Sequence, residues 1–261
     1  SQINKLNLYD HIEMVDKLAE AGVHSWQLQV TIPHGNACEN LDIILQPYMF
    51  MELFEQLSRI CDRAIERRVR IWPANNLGYF GPLEYALRRS QMSAGHFKGC
   101  NAGTSAIGIE SNGEIKSCPT LGGATNLGGN WREHGLEALW SRSPVITYFP
   151  RRTEKELWGY CAECYYADTC MAGCTATAEP IMGRPGNNPF CHHRALEMDR
   201  MGLRERLEPV HAADAGSFGV GSFRVVREPK DERERAKSGP VHVEEPRISR
   251  LVEEMGPGKP I

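Results

Sequence analysis

Residues 161–174 read Cys161-Ala-Glu-Cys164-Tyr-Tyr-Ala-Asp-Thr-Cys170-Met-Ala-Gly-Cys174, with two, five and three residues between successive cysteines. This stretch decides how the rest of the chain is read. Three further cysteines extend the series: Cys100 and Cys118 before it, with Gly113 five residues ahead of Cys118, and Cys191 after it. Thiols with two residues between them reach one metal centre without strain, and Cys170 and Cys174 come within reach as well. Four cysteines alone suit zinc as well as a four-iron cluster. Seven, with a distant pair before and a single one after, suggest two sites sharing an interleaved series. The chain has nine cysteines and no signal peptide at its start, which argues for a reducing compartment such as the cytoplasm, where clustered thiols bind metal more often than they pair. An odd number also rules out complete internal disulfide pairing.

The 261 residues are 41% hydrophobic, enough for one large domain or two small ones with a sizeable core. A net charge of -3 gives no electrostatic case for nucleic acid or an anionic membrane. No apolar run approaches the roughly 18 residues of a spanning helix.

Working outward, apolar spacing predicts a helix over residues 6–20, carried by Leu8, Ile12, Val15 and Leu18 and ended by Gly22. Alternation predicts a strand over 26–32, then a long loop containing His34 and Cys38. A second helix is expected over 48–68, with Phe50, Leu53, Phe54, Leu57 and Cys61 on its apolar stripe and Pro47 at its start. A short strand over 69–72 leads into a loop with Asn75, Asn76 and Tyr79. Helix, strand, helix, strand is the pattern of a parallel α/β unit, whose chemistry sits in the loops after the strands. His34, Asn75, Asn76 and Tyr79 are therefore candidate substrate-binding residues. Cys38 faces the same region, and Cys61 is expected to pack in the core. A hairpin over 105–118 turns on Asn112-Gly113. A short helix is expected over 136–140 and a final one over 194–207. From Pro209 the composition shifts: six prolines and nine residues of each charge sign fall in the last 53 positions, and Gly-Ser-Phe occurs at 216–218 and 221–223. This predicts a disordered tail.

The series Cys100, Gly113, Cys118, Cys161, Cys164, Cys170, Cys174 and Cys191 resembles the seven-cysteine signature of the SPASM domain, the C-terminal extension of many radical S-adenosylmethionine enzymes, notably peptide and protein maturases. The hairpin ending in Ser117-Cys118-Pro119 and the Leu136-Glu-Ala-Leu-Trp140 run resemble that family too. The resemblance covers about residues 95–205. Residues 1–82 are similar, less specifically, to the last strands and helices of the family's barrel. It implies an α/β chain in three parts: the C-terminal part of a partial TIM-type barrel (1–94), a small cysteine-rich α+β SPASM domain (95–208) and the disordered tail (209–261).

By the same resemblance, two auxiliary 4Fe-4S clusters have crossed ligands, one on Cys100, Cys118 and Cys174 and the other on Cys161, Cys164, Cys170 and Cys191. Fully ligated members carry one more cysteine shortly before the position of Cys100. None lies between Cys61 and Cys100 here, which leaves the first cluster with an open iron or a non-cysteine ligand such as His96. His192 and His193 are placed to tune the second cluster, and Tyr165 and Tyr166 to shield it. The implied partners are a peptide or protein substrate and an electron donor such as flavodoxin or ferredoxin. The family's three-cysteine motif for cleaving S-adenosylmethionine, with three and then two intervening residues, does not occur in this sequence. The chain is therefore expected to be the C-terminal portion of a longer enzyme that uses S-adenosylmethionine only when intact. The alternative is a stand-alone cysteine-rich module, either for binding, with structural zinc, or for electron transfer.

Overall fold

The computed structural model describes residues 1–78, 81–89, 92, 95–97, 99–212 and 221–247. The first part is β1 (Gln2–Ile3), α1 (His11–Glu20), β2 (Ser25–Val30), α2 (Asn36–Glu39), α3 (Phe50–Glu66), β3 (Arg70–Pro73) and α4 (Glu84–Arg88). The strands form a parallel sheet in the order β1-β2-β3, with Gln2 opposite Gln29 and Gln27 opposite Trp72. This is the expected α/β arrangement. The described residues show three parallel strands, which do not amount to a barrel. The sheet's alternation is plain in β2: Trp26, Leu28 and Val30 are buried, while Ser25 and Gln27 are exposed and Gln29 is half-buried. The buried face packs against Val15 of α1 and Phe50, Leu53, Phe54, Leu57, Ile60 and Ala64 of α3. Cys61 lies on the same buried stripe, as its spacing implied.

The middle part holds β4 (Gly108–Ile109), β5 (Glu114–Lys116), β6 (Leu127–Asn130), α5 (Trp131–His134), α6 (Leu136–Arg142), α7 (Pro144–Arg151), α8 (Ala167–Cys170), α9 (Thr175–Met182) and α10 (His192–Arg200). β4, β5 and β6 form an antiparallel sheet. The hairpin turns at Asn112-Gly113 as read, with Gly113 N–H donating to the Glu110 carbonyl at 2.9 Å. Glycine is required there: φ is +94°, and a Cβ would lie 1.9 Å from Arg132 Nη1. The expected boundary at 94/95 falls beside residues outside the described set.

The C-terminal part corrects two expectations. The last helix ends at Arg200, not Leu207; Gly202, at φ +72°, turns the chain, and Leu203 and Leu207 belong to a strand. The segment read as a disordered tail is folded in its described residues. β7 (Leu203–His211), β8 (Ser222–Pro229), α11 (Glu232–Ser238) and β9 (His242–Glu244) follow, with the strands antiparallel in the order β7-β8-β9. Pro209 is tolerated because β7 is an edge strand with a register shift between Pro209 and His211. The charges that suggested disorder pair across the strands: Glu228 with Arg204 at 2.6 Å and Arg206 at 2.9 Å, and Glu205 with Arg227 at 2.8 Å. Of the two Gly-Ser-Phe repeats, 216–218 lies outside the described residues. The second ends in Phe223, which joins Leu207 and Val225 in the main core with Trp158, Ile181 and Phe190. That core also contains the sheet and helices of the first part, with the Phe50 and Phe190 rings 5.1 Å apart. Phe223→Ala should therefore cost about 3–5 kcal/mol. Chemical denaturation checks this, since removing a side chain from a disordered tail would leave the midpoint unchanged.

Candidate metal centre

The seven cysteines fall into two groups at different places. Cys100, Cys118 and Cys174 line one cavity of about 1290 Å³. Its opposite wall is the outward face of the parallel sheet, with Gln2, Gln27, Gln29 and Trp72. Cys118 follows β5 and Cys174 is the residue before α9. The Ala102 N–H donates to Cys100 Sγ at 3.4 Å, and the Asn75 amide also hydrogen-bonds that thiol. Burial, with a smaller contribution from the neighbouring Cys100 and Cys118, pushes the Cys174 thiol up to about 11.

The second group is Cys161, Cys164, Cys170 and Cys191. Asn188 N–H donates to Cys161 Sγ at 3.4 Å and Tyr166 N–H to Cys164 Sγ at 3.5 Å. Cys191 stands just before α10, whose first N–H groups, on His193 and Arg194, point at its thiol. Burial pushes Cys161 up to about 12 and Cys170 well above its usual range, with Cys191, Cys161 and Cys164 adding to the rise at Cys170.

Cys170 and Cys174 are four residues apart yet belong to different groups. The backbone between them explains this. Met171, Ala172 and Gly173 are all left-handed, at φ +52°, +58° and +66°. Three consecutive residues in this region reverse the chain between the end of α8 and the start of α9. Only Gly173 is free of steric cost there.

These residues fit iron-sulfur centres in two respects. Buried thiols with raised proton affinity become thiolates only when a cation compensates them. Among the described residues, two buried polar atoms beside the cysteines lack ordinary partners: Ser117 Oγ, next to Cys118, and the Thr177 hydroxyl, beside the Cys174 thiol.

The other expected site residues divide. His34 lines the large cavity and a second one of about 590 Å³, and burial lowers its proton affinity. Asn75 is on the cavity wall beside Cys100. Asn76 also lines it, but its amide is occupied by the backbone of Val30, donating at 2.7 Å and accepting at 3.1 Å, so it continues the β2–β3 pairing past the end of β3. Tyr79 lies outside the described residues. His96 is not on the cavity wall. Its Nδ1 is 2.7 Å from Glu84 and its ring meets Tyr166, between Cys164 and Cys170, on the side of the second group. Tyr165 is 87% exposed and shields nothing, whereas Tyr166 packs with Phe97 and Cys170. His192 stacks on Phe54 at 4.2 Å, and burial lowers its pKa to about 4. Cys38 is buried and, like Cys61, held as a thiol by burial. Gln27, Gln29 and Trp72 were missed as cavity residues, although their outward positions on alternating strands signalled it.

Residues 100–165 match the family model of the SPASM iron-sulfur cluster-binding domain. The match includes Cys100, Cys118, Cys161 and Cys164 and stops before Cys170, Cys174 and Cys191. No curated protein matches the chain. The match is to a family described as iron-sulfur cluster-binding, over about a quarter of the chain.

Relieving the left-handed run has a measurable consequence. Ala172→Gly removes a steric cost of about 1 kcal/mol. It should raise the unfolding midpoint of the metal-free protein without changing the metal it takes up. A lowered midpoint would contradict the assignment of strain to this turn.

Proposed function

We propose that the chain is the C-terminal portion of a radical S-adenosylmethionine maturase of the SPASM type and carries two auxiliary 4Fe-4S clusters. Cys100, Cys118 and Cys174 hold the first, and Cys161, Cys164, Cys170 and Cys191 the second. The observation that carries this reading is the separation of the seven thiols into a cavity-lining group of three and a second group of four around Cys161, Cys164, Cys170 and Cys191. Bound there, the clusters supply one-electron transfer. The chain's own residues do the rest. Three thiols rather than four leave the first centre open toward the cavity. Among the described residues no other cysteine lines that cavity, and His96 pairs with Glu84.

A peptide segment fits the cavity opposite. β2 presents Gln27 and Gln29 two residues apart, about 6.6 Å along the strand, which is also the repeat of an extended peptide. Neither amide is engaged by a described protein group, so both remain available to a backbone laid along the strand. Trp72 supplies an apolar surface beside Gln27. The radical-forming step on S-adenosylmethionine belongs to a three-cysteine motif that this sequence lacks, so these residues serve the later steps: holding substrate and passing its electron on. An electron partner of the flavodoxin or ferredoxin type approaches the second group from the side of exposed Tyr165, next to Cys164. No described helix is long and apolar enough to cross a membrane, and a reducing compartment such as the cytoplasm suits free thiols.

The crossed assignment is tested with two neighbouring substitutions. After anaerobic reconstitution with iron and sulfide, Cys170→Ala and Cys174→Ala should remove different electron paramagnetic resonance signals, each leaving about half of the iron. Loss of the same signal in both variants would show that the two cysteines serve one centre and overturn the proposal.

A further inference from the structure

The segment after Gly202 delivers two carboxylates to a buried cation beside the second thiol group. Arg194, in the first turn of α10, is 1% exposed. Its guanidinium donates to Glu205 of β7, through Nη2 at 3.0 Å and also through Nε, and to Glu244 of β9 at 2.9 Å. It also donates to the Asn187 side-chain oxygen Oδ1 at 2.8 Å and lies 4.8 Å from the centre of the Tyr160 ring. Arg227 of β8 closes the arrangement by donating to Glu205 at 2.8 and 3.1 Å.

This network borders the thiols directly. Glu244 accepts from the N–H of Tyr160, the residue before Cys161, at 3.1 Å and from Asn187 Nδ2 at 2.8 Å. The N–H of Asn188 then donates to Cys161 Sγ. The N–H of Arg194 itself points at Cys191, and its positive charge favours the thiolates of Cys161, Cys164 and Cys191. Two arginines face two carboxylates, so their formal charges cancel. The field at the second group therefore depends on both carboxylates staying in place. Charges sealed from solvent escape screening by salt, so a change of one unit here is felt strongly.

We infer that Glu205 and Glu244, brought in by the C-terminal sheet, set the reduction potential of the centre held by Cys161, Cys164, Cys170 and Cys191 by neutralising Arg194. This rests on the cluster assignment above. A cluster accepts an electron more readily as the positive charge around it grows. Docking of the β7-β8-β9 sheet thus holds the second centre at low potential, and loss of either carboxylate raises it.

The test is a redox titration of the full chain, reconstituted with iron and sulfide, reduced with dithionite and followed by electron paramagnetic resonance. The second centre is identified by its loss in Cys164→Ala. Glu244→Gln should shift its midpoint upward, and Arg227→Gln, which leaves Glu205 in excess, should shift it downward. Glu244→Asp keeps the charge and should stay near the unsubstituted value. The first centre, on Cys100, Cys118 and Cys174, should not move in any of them. Opposite signs from two substitutions in one network separate a charge effect from general loosening. An unchanged second midpoint in Arg227→Gln, shifts of the same sign in both variants, or an equal shift in the first centre would overturn the inference. Should Glu244→Gln fail to fold, Arg227→Gln, on a side chain 20% exposed, decides alone. A wild-type chain that takes up no iron would instead refute the cluster assignment, and that is seen before any variant is made.

Discussion

A guanidinium sealed from water must be matched by carboxylates, and the way Arg194 is matched ties three parts of this chain together. Burial alone would lower its proton affinity, but Glu205 and Glu244 outweigh that and keep it charged. Removing one partner of such a pair costs about 3–5 kcal/mol, because the other charge is left buried without compensation. Neither carboxylate is local: one comes from β7 and the other from β9, and both meet Arg194 in the first turn of α10, just after Cys191. The second thiol group is therefore framed only when the C-terminal sheet is docked. The same sheet reaches the first part through Leu207, whose N–H donates to Gln46 Oε1 at 2.7 Å just before α3.

The second constraint is the left-handed run 171–173. It separates the Cys170 and Cys174 side chains into different surroundings, one packed and one facing a cavity. Backbone in this conformation is costly for Met171 and Ala172 and persists because the packing around it leaves no alternative. Together, the run and the Arg194 network give the two groups different characters. One is closed, with four thiols, a buried cation and an aromatic cover from Tyr166. The other is open, with three thiols, a cavity and a wall of amides.

Much of this was legible in the sequence. The alternation of Trp26, Leu28 and Val30 and the stripe from Phe50 to Ala64 placed the parallel sheet and its helices, and Asn112-Gly113 placed the hairpin, because these signals are local. The stretch after Pro209 misled because its charges pair only across strands. Glu228 reads as a solvated acid until Arg204 and Arg206 lie beside it, and Phe223 reads as a stray aromatic until the core is assembled. Arg194 carried no signal either. One arginine in a polar helix start gives no hint of burial, since its partners are 11 and 50 residues away. The cavity face was half legible: the outward positions of β2 were known, but that they face thiols depends on tertiary structure.

The central claim is that the seven cysteines form two iron-sulfur sites. It is tested most directly by measuring iron, acid-labile sulfide and zinc per chain after anaerobic reconstitution, together with the visible spectrum. The account predicts about eight irons and a matching amount of sulfide, as two four-iron clusters require. One or two zinc ions with no iron would contradict it and leave a structural zinc module.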